Sequence, residues 1–162
     1  MHLRDATLAD LPAIVAIYNA SIPGRMATAD LEPVTVADRL PWFQAHTPTQ
    51  HPIWVAERDG EVAGWFSFQP FYGRLAYRAT AEVSVYVAPA HQRQGVARML
   101  LAEALQRSPQ LGLSTLLGFI FGHNQPSMRL FEGFGFERWA LLPRIAELDG
   151  VERDLVILGR RV

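Results

Sequence analysis

The stretch from Glu82 to Gln106 constrains this chain most, because it reads as a strand, a glycine turn and a helix in immediate succession. Residues 81–87 are rich in valine and alternate: Val83, Val85 and Val87 on one face, Glu82, Ser84 and Tyr86 on the other. Pro89 closes the strand, since proline cannot donate to a ladder. Gly95 then opens a helix in which Val96, Met99, Leu100 and Ala104 form a broad apolar stripe. Such a helix leaves its first backbone amides unpaired and carries partial positive charge at that end. A glycine there lets an anion reach bare backbone. The turn from Gln92 to Ala97 therefore suits a pyrophosphate, although the glycine alone also fits an ordinary strand-to-helix connection. It has neither the Gly-Lys-Ser/Thr of a Walker loop nor the Gly-x-Gly-x-x-Gly of a dinucleotide fold.

Around this unit the chain alternates short strands and helices over 162 residues, enough for a single domain spanning 1–162. Residues 2–6 read as a first strand. Thr7 and Asp10 form a capping box for a helix that places Leu8, Leu11, Ile14, Val15 and Tyr18 on one side. Residues 19–33 read as a long loop, expected over the substrate, and 35–45 as a second helix. Asp59-Gly60 joins strands at 53–58 and 61–69 as a hairpin. An aromatic, arginine-bearing extension occupies 70–79. After the helix come a strand at 113–120 and a short helix at 124–134, with Pro126 in its first turn and Gly135 as C-cap. Strands at 136–142 and 151–158, turned by Asp149-Gly150, finish the sheet. The order βααβββαβαββ gives an α/β (α+β) class. It describes a mixed, mostly antiparallel sheet of about seven strands with helices on both faces.

Composition removes several functions. A net charge of −1 without a basic tract argues against nucleic acid or an anionic membrane as partner. The chain has no cysteine, which excludes disulfides, thiolate metal sites and an acyl-cysteine intermediate. His2, His46, His51, His91 and His123 are scattered without ligand spacing, so no metal is expected. The chain opens with polar residues, and no apolar run approaches the roughly 20 needed to span a bilayer, so the cytoplasm is the expected compartment.

Gln92-x-x-Gly95-x-Ala97 after a valine-rich strand resembles the acetyl-CoA pyrophosphate loop of the GNAT N-acetyltransferase superfamily, and the element order is that family's order. A second motif, Asn124-x-x-Ser127-x-x-x-Phe131-x-x-x-Gly135-Phe136, is similar to the family's as well. Within the family the chain looks most like the phosphinothricin and methionine sulfoximine acetyltransferases. They share Phe71-x-x-Arg74-x-x-Tyr77 ahead of Glu82, then Val85-Tyr86-Val87, His91-Gln92-Arg93-x-Gly95, Tyr18-Asn19 and a late Asp154.

The resemblance implies acetyl transfer from acetyl-CoA to a small-molecule amine, in an enzyme expected to be a homodimer. Backbone amides from Arg93 through Gln94, Gly95, Val96 and Ala97 to Arg98 would hold the pyrophosphate, with Gln92 opening the loop. The strand edge at Val85, Tyr86 and Val87 would pair with the pantetheine arm, and Asn124 and Ser127 would flank it. Glu82 is the expected base. On the residues alone a solvent-facing carboxylate is the commoner outcome, and only the resemblance favours catalysis. Phe71, Arg74 and Tyr77, with Glu82, would line the acceptor pocket, Arg74 matching a carboxylate or phosphinate. Phe131 stands where many relatives carry a proton donor and cannot donate one, so the general acid stays unassigned; His123 reads as a surface or capping group. Two rivals remain open: another amine (a peptide N-terminus, polyamine or aminoglycoside), or a non-catalytic acyl-CoA-binding module.

Overall fold

Alternating apolar residues set the first strands of the computed structural model, which describes residues 1–162. β1 (His2–Asp5), β2 (Ile53–Arg58), β3 (Glu61–Pro70) and β4 (Thr80–Val87) pair antiparallel in that order. β5 (Thr115–Phe121) joins β4 in parallel, and β7 (Val151–Arg161) and β6 (Glu137–Leu148) complete a seven-stranded sheet. The Asp59-Gly60 and Asp149-Gly150 turns take the paired positive φ that a two-residue hairpin requires. The element order and the mixed sheet are those expected.

The sheet's two faces bury two cores. On one, Leu100 and Leu101 of α3 (Val96–Arg107) and Met128 and Phe131 of α4 (Gln125–Gly133) pack on Phe66, Phe68 and Val83. On the other, Ile14, Ile17 and Tyr18 of α1 (Leu11–Ser21) pack on Val55 and Trp65, with Trp42 of α2 (Val36–Gln44) against them. The Trp65 indole donates to the Ile14 carbonyl at 3.1 Å, which fixes α1 on its face of the sheet.

Several boundaries differ from the sequence reading for physical reasons. The Thr7–Asp10 box forms, but it opens a 3-10 turn and α1 begins at Leu11. Leu8 is therefore 59% exposed instead of joining the α1 stripe. α1 runs on to Ser21, and Asn19 staples the loop behind it. Its amide donates to the Val34 carbonyl at 2.8 Å and its carbonyl accepts from the Val34 amide at 2.9 Å. Thr35 caps α2 with Asp38 as its box partner. β6 does not stop at Leu142. It bulges between Leu142 and Ala146, where Arg144 takes φ 52°, and continues to Leu148. Asp154 accepts from the Arg144 amide at 2.9 Å and holds that bulge.

Candidate active site

β4 and β5 pair only from Thr80–Glu82 to Thr115–Leu117. Beyond Glu82 the strands part, and the Val83–Val87 edge of β4 faces a wedge instead of a neighbour. β5 stays bonded to β7 along its whole length, from Thr115 to Phe121. Phe131 of α4 fills the side of the wedge, and Gly118 is what lets it in. A Cβ on Gly118 would stand 3.0 Å from the Phe131 ring. The wedge opens into a cavity of about 540 Å³ that runs through the sheet. Its walls are β4 from Glu82 to Tyr86, Phe119–Phe121 of β5, Asn124, Ser127 and Phe131, residues 26–29 of the α1–α2 loop, and residues 145–148 of β6.

Glu82 sits at the closed end of the wedge, opposite Gln69 on β3 and Leu117 on β5. It is half-buried, and burial alone raises its carboxyl pKa above the ordinary value of 4.5. Glu82 and Glu147 are the only charged residues lining the cavity. The cavity therefore presents carboxylates and no cationic side chain, and burial makes Glu82 a better proton acceptor than an exposed glutamate.

The loop between β4 and α3 has the shape an anion needs. Arg93 and Gly95 take positive φ of 60° and 82°. The Met99 amide makes the bond back to Gly95 at 3.0 Å, so the amides of Val96, Ala97 and Arg98 precede the helical ladder and stay open. No acidic residue stands in that first turn. Gln94 braces the loop, accepting from Arg58 and donating to the Ala90 carbonyl at 3.0 Å. The Val96 side chain is buried in the core, while the Arg98 guanidinium lies 5.3 Å from the Phe134 ring. Gln92 and Arg93 are exposed at the loop surface.

Of the residues expected in the site, Glu82, Val85, Tyr86, Asn124 and Ser127 share the cavity, and Val87 lies just beyond it on the same free edge. Asn124 also caps α4, accepting from the Ser127 amide at 3.2 Å, and donates to the Met26 carbonyl at 3.0 Å. Phe71, Arg74 and Tyr77 do not join them within one chain. They line a separate cavity of about 530 Å³ with His51, Arg78 and Leu111–Leu113. The Phe71, Tyr72 and Tyr77 rings pack together there, and Tyr72 and Leu75 are each 78% exposed. Sequence reasoning missed the Ile145–Leu148 wall, because it ended that strand at Leu142. It read His123 as a surface or capping group; the ring stacks on Phe121, a cavity-lining residue, and bonds the Arg25 carbonyl.

A sequence profile of the acetyltransferase (GNAT) family matches residues 14–136. The chain belongs to that family. It is 55% identical over 163 residues to YwnH of Bacillus subtilis, which is described provisionally as a phosphinothricin acetyltransferase, covering 100% of this chain and 99% of YwnH. It is 33% identical to the Escherichia coli L-amino acid N-acyltransferase MnaT, over 98% of this chain and 92% of that protein. A phosphinothricin acetyltransferase from Sinorhizobium meliloti, solved in complex with acetyl-CoA, superposes with a TM-score of 0.93 at 31% identity. That match covers 99% of this chain and 88% of the other. The enzyme is thus an acetyl-CoA-dependent GNAT acetyltransferase acting on a small amine. No group of histidine and carboxylate side chains could hold a metal ion, and no helix is long and apolar enough to cross a membrane.

Proposed function

We propose that this enzyme acetylates the amine of a small amino-acid-like acceptor of the phosphinothricin or methionine sulfoximine type, as a cytoplasmic homodimer. The observation that carries the reading is Glu82, a carboxylate raised by burial at the closed end of the wedge, inside a cavity with no cation. An alkylammonium near pKa 10 must lose a proton before it can attack a thioester. Glu82 takes that proton, directly or through a water, and the neutral nitrogen attacks the acetyl carbonyl. Open amides on the Val83–Val87 edge lie where the pantetheine arm pairs and where oxyanion charge develops. The open amides of Val96, Ala97 and Arg98 hold the pyrophosphate. Phe131 supplies no proton, so the thiolate, a fair leaving group, is protonated from solvent.

The names of YwnH and MnaT support the amino-acid class, and so does Arg74, whose planar fork fits a carboxylate or phosphinate. Arg74 stands outside the Glu82 cavity of its own chain. The exposed segment from Phe71 to Tyr77 accordingly reaches the cavity of the second copy in the dimer. The acidic, cation-free cavity also favours a second reading, a polycationic acceptor such as a polyamine.

An amine panel tests both readings: phosphinothricin, methionine sulfoximine, methionine sulfone, a polyamine, an aminoglycoside and a short peptide, followed by thiol release from acetyl-CoA. Turnover confined to the first three supports the amino-acid reading, and turnover confined to the polyamine replaces it. Mixing inactive Glu82→Gln and Arg74→Ala proteins tests the shared site. Activity restored in mixed dimers is expected; no restoration places both residues in one chain's site.

A further inference from the structure

Residues 25–30 form a strap between α1 and α2 across the acceptor side of the cavity, with Met26–Ala29 as its lining. Three successive carbonyls of this strap are held from below. His123 bonds the Arg25 carbonyl through Nε2 at 2.8 Å, so that nitrogen carries the hydrogen. Asn124 donates to the Met26 carbonyl at 3.0 Å, and the Tyr86 hydroxyl to the Ala27 carbonyl at 3.2 Å. From the far side the Arg25 guanidinium meets Asp149 in the β6–β7 turn at 2.7 Å. Within the strap the Asp30 amide bonds the Thr28 hydroxyl at 3.2 Å. Its ends are tied by the Arg25 amide to the Ile22 carbonyl at 3.1 Å and by the Arg25 guanidinium to the Ile22 and Leu31 carbonyls at 3.2 and 2.9 Å, and the Tyr18 hydroxyl of α1 bonds Thr28 and Asp30. Where Met26–Ala29 stand is therefore decided mainly by side chains from other elements.

We propose that His123 is a positioning residue. With Asn124 and Tyr86 it clasps the carbonyls of residues 25–27 and so sets the width of the acceptor pocket opposite Glu82. The proposal rests on the reading that the amine enters between the strap and Glu82. His123 touches no reacting atom; it acts through the Arg25 carbonyl. Asn124 and Tyr86 also line the wedge of the acetyl donor, so the walls of one substrate's site place the roof of the other's. Stacking on Phe121, with rings 5.6 Å apart and 20° from coplanar, keeps the imidazole aimed at the strap.

The test compares wild type with His123→Ala and His123→Gln, using kinetics and hydrogen exchange on the whole enzyme. His123→Ala is expected to raise the amine KM about three- to tenfold, the factor one neutral hydrogen bond sets. The kcat and the KM for acetyl-CoA should stay as in wild type. Exchange at the Arg25 and Asp30 amides should quicken while the sheet amides do not. His123→Gln, which restores a donor, should recover both. Unchanged strap exchange in His123→Ala overturns the clasp. Faster exchange with an unchanged amine KM overturns the positioning role, and so does a uniform loss that tracks a lower melting temperature. If wild type acetylates no amine in the panel, the acceptor reading fails, and the exchange comparison still decides the clasp.

Discussion

Gly64 tests whether the core of this enzyme sets the geometry of its cofactor loop. It lies in β3 beneath the first residue of α3. A Cβ there would stand 2.8 Å from the Tyr86 carbonyl oxygen and 2.9 Å from Val96 Cγ1. Carbon atoms pack favourably at about 3.5–4.0 Å, so Val96 would have to retreat by about 0.6 Å or more. It has nowhere to go, since it is fully buried in the main core with Leu100 and Leu101. Tyr86 is held as well: β4 pairs with β3 through Trp65 and Gly64, and the Ala88 amide bonds the Ala63 carbonyl at 2.8 Å. The strain therefore passes to the first turn of α3, whose open amides are proposed to hold the pyrophosphate. Gly64→Ala is expected to lose about 1–3 kcal/mol of stability, as overpacked cores do. At this chain length that lowers the melting temperature by roughly 2–12 °C. The acetyl-CoA dissociation constant should rise about tenfold, since backbone donors that miss their oxygens by a few tenths of an ångström lose much of a charge-assisted bond. Urea unfolding measures the first effect and titration calorimetry with acetyl-CoA the second. Gly133→Ala is the comparison, because its Cβ would meet nothing within 4 Å. If Gly64→Ala behaves like Gly133→Ala in both measurements, the close approach does not constrain the loop and the reasoning fails.

Replacing Glu82 by Gln should lower kcat/KM by about 10²–10⁴-fold, the contribution of a general base, with little change in melting temperature. In wild type only the carboxylate accepts a proton, and burial raises its pKa above 4.5, so the rate should climb with pH along an acid limb above that value. A limb that persists in Glu82→Gln would remove Glu82 from the reaction; thiol detection reads it cleanly because the chain has no cysteine. Asp10, held at about 2 by hydrogen bonds from Arg4 with Thr7 assisting, should stabilise the fold above its ordinary 3.8 and lose that stabilisation as pH falls through 2. The drop from 3.8 to about 2 caps the effect at about 2 kcal/mol. Arg4 is about a third exposed, so about 1–2 kcal/mol should be lost in Asp10→Asn at pH 7, with the gap closing toward pH 2 in urea unfolding. Phe131→Tyr should leave kcat nearly unchanged if the thiolate departs unaided, whereas a gain approaching the 10²–10⁴-fold of a general acid would show that protonation limits the wild type.

The parts of this enzyme that local chemistry specifies could be read from the sequence. The valine alternation of β4, the glycine before α3, the two Asp-Gly hairpins and the Thr7–Asp10 box each depend on residues within four positions of one another. What depends on distant partners could not. Leu8 fits an apolar stripe by spacing, but the Thr7–Asp10 box turns it outward. β6 continues past Leu142 through a bulge that Asp154, ten residues on and in the next strand, holds by accepting from the Arg144 amide, and its far end pairs with β7 from Ala146 to Leu148. The Ile145–Leu148 wall of the cavity was hidden for that reason. Glu82 illustrates the limit for the site: alternation placed it with Ser84 and Tyr86 on one face of β4, yet it is burial in the folded chain that raises its pKa. Arg74 shows the converse. The motif groups it with Glu82, and a single chain keeps them in separate cavities.

The parting of β4 from β5 needs a physical account, because an unpaired strand edge inside a sheet is costly when dry. β5 cannot swing over to close it. Seven residues of β5 are committed to β7, and Phe131 presses on Gly118 where the strands begin to diverge. β4 cannot move either, since β3 pairs it as far as Val87. The two strands are thus held apart by their outer neighbours, and under the proposed function an extended ligand completes the ladder of the Val83–Val87 edge. Acetyl-CoA binding should then slow hydrogen exchange at those β4 amides that face β5, and leave the amides bonded to β3 as they were. Protection spread evenly over both sets would mean that the ligand merely stiffens the domain. Protection confined to the β5-facing set would show that the arm takes the place of the missing strand.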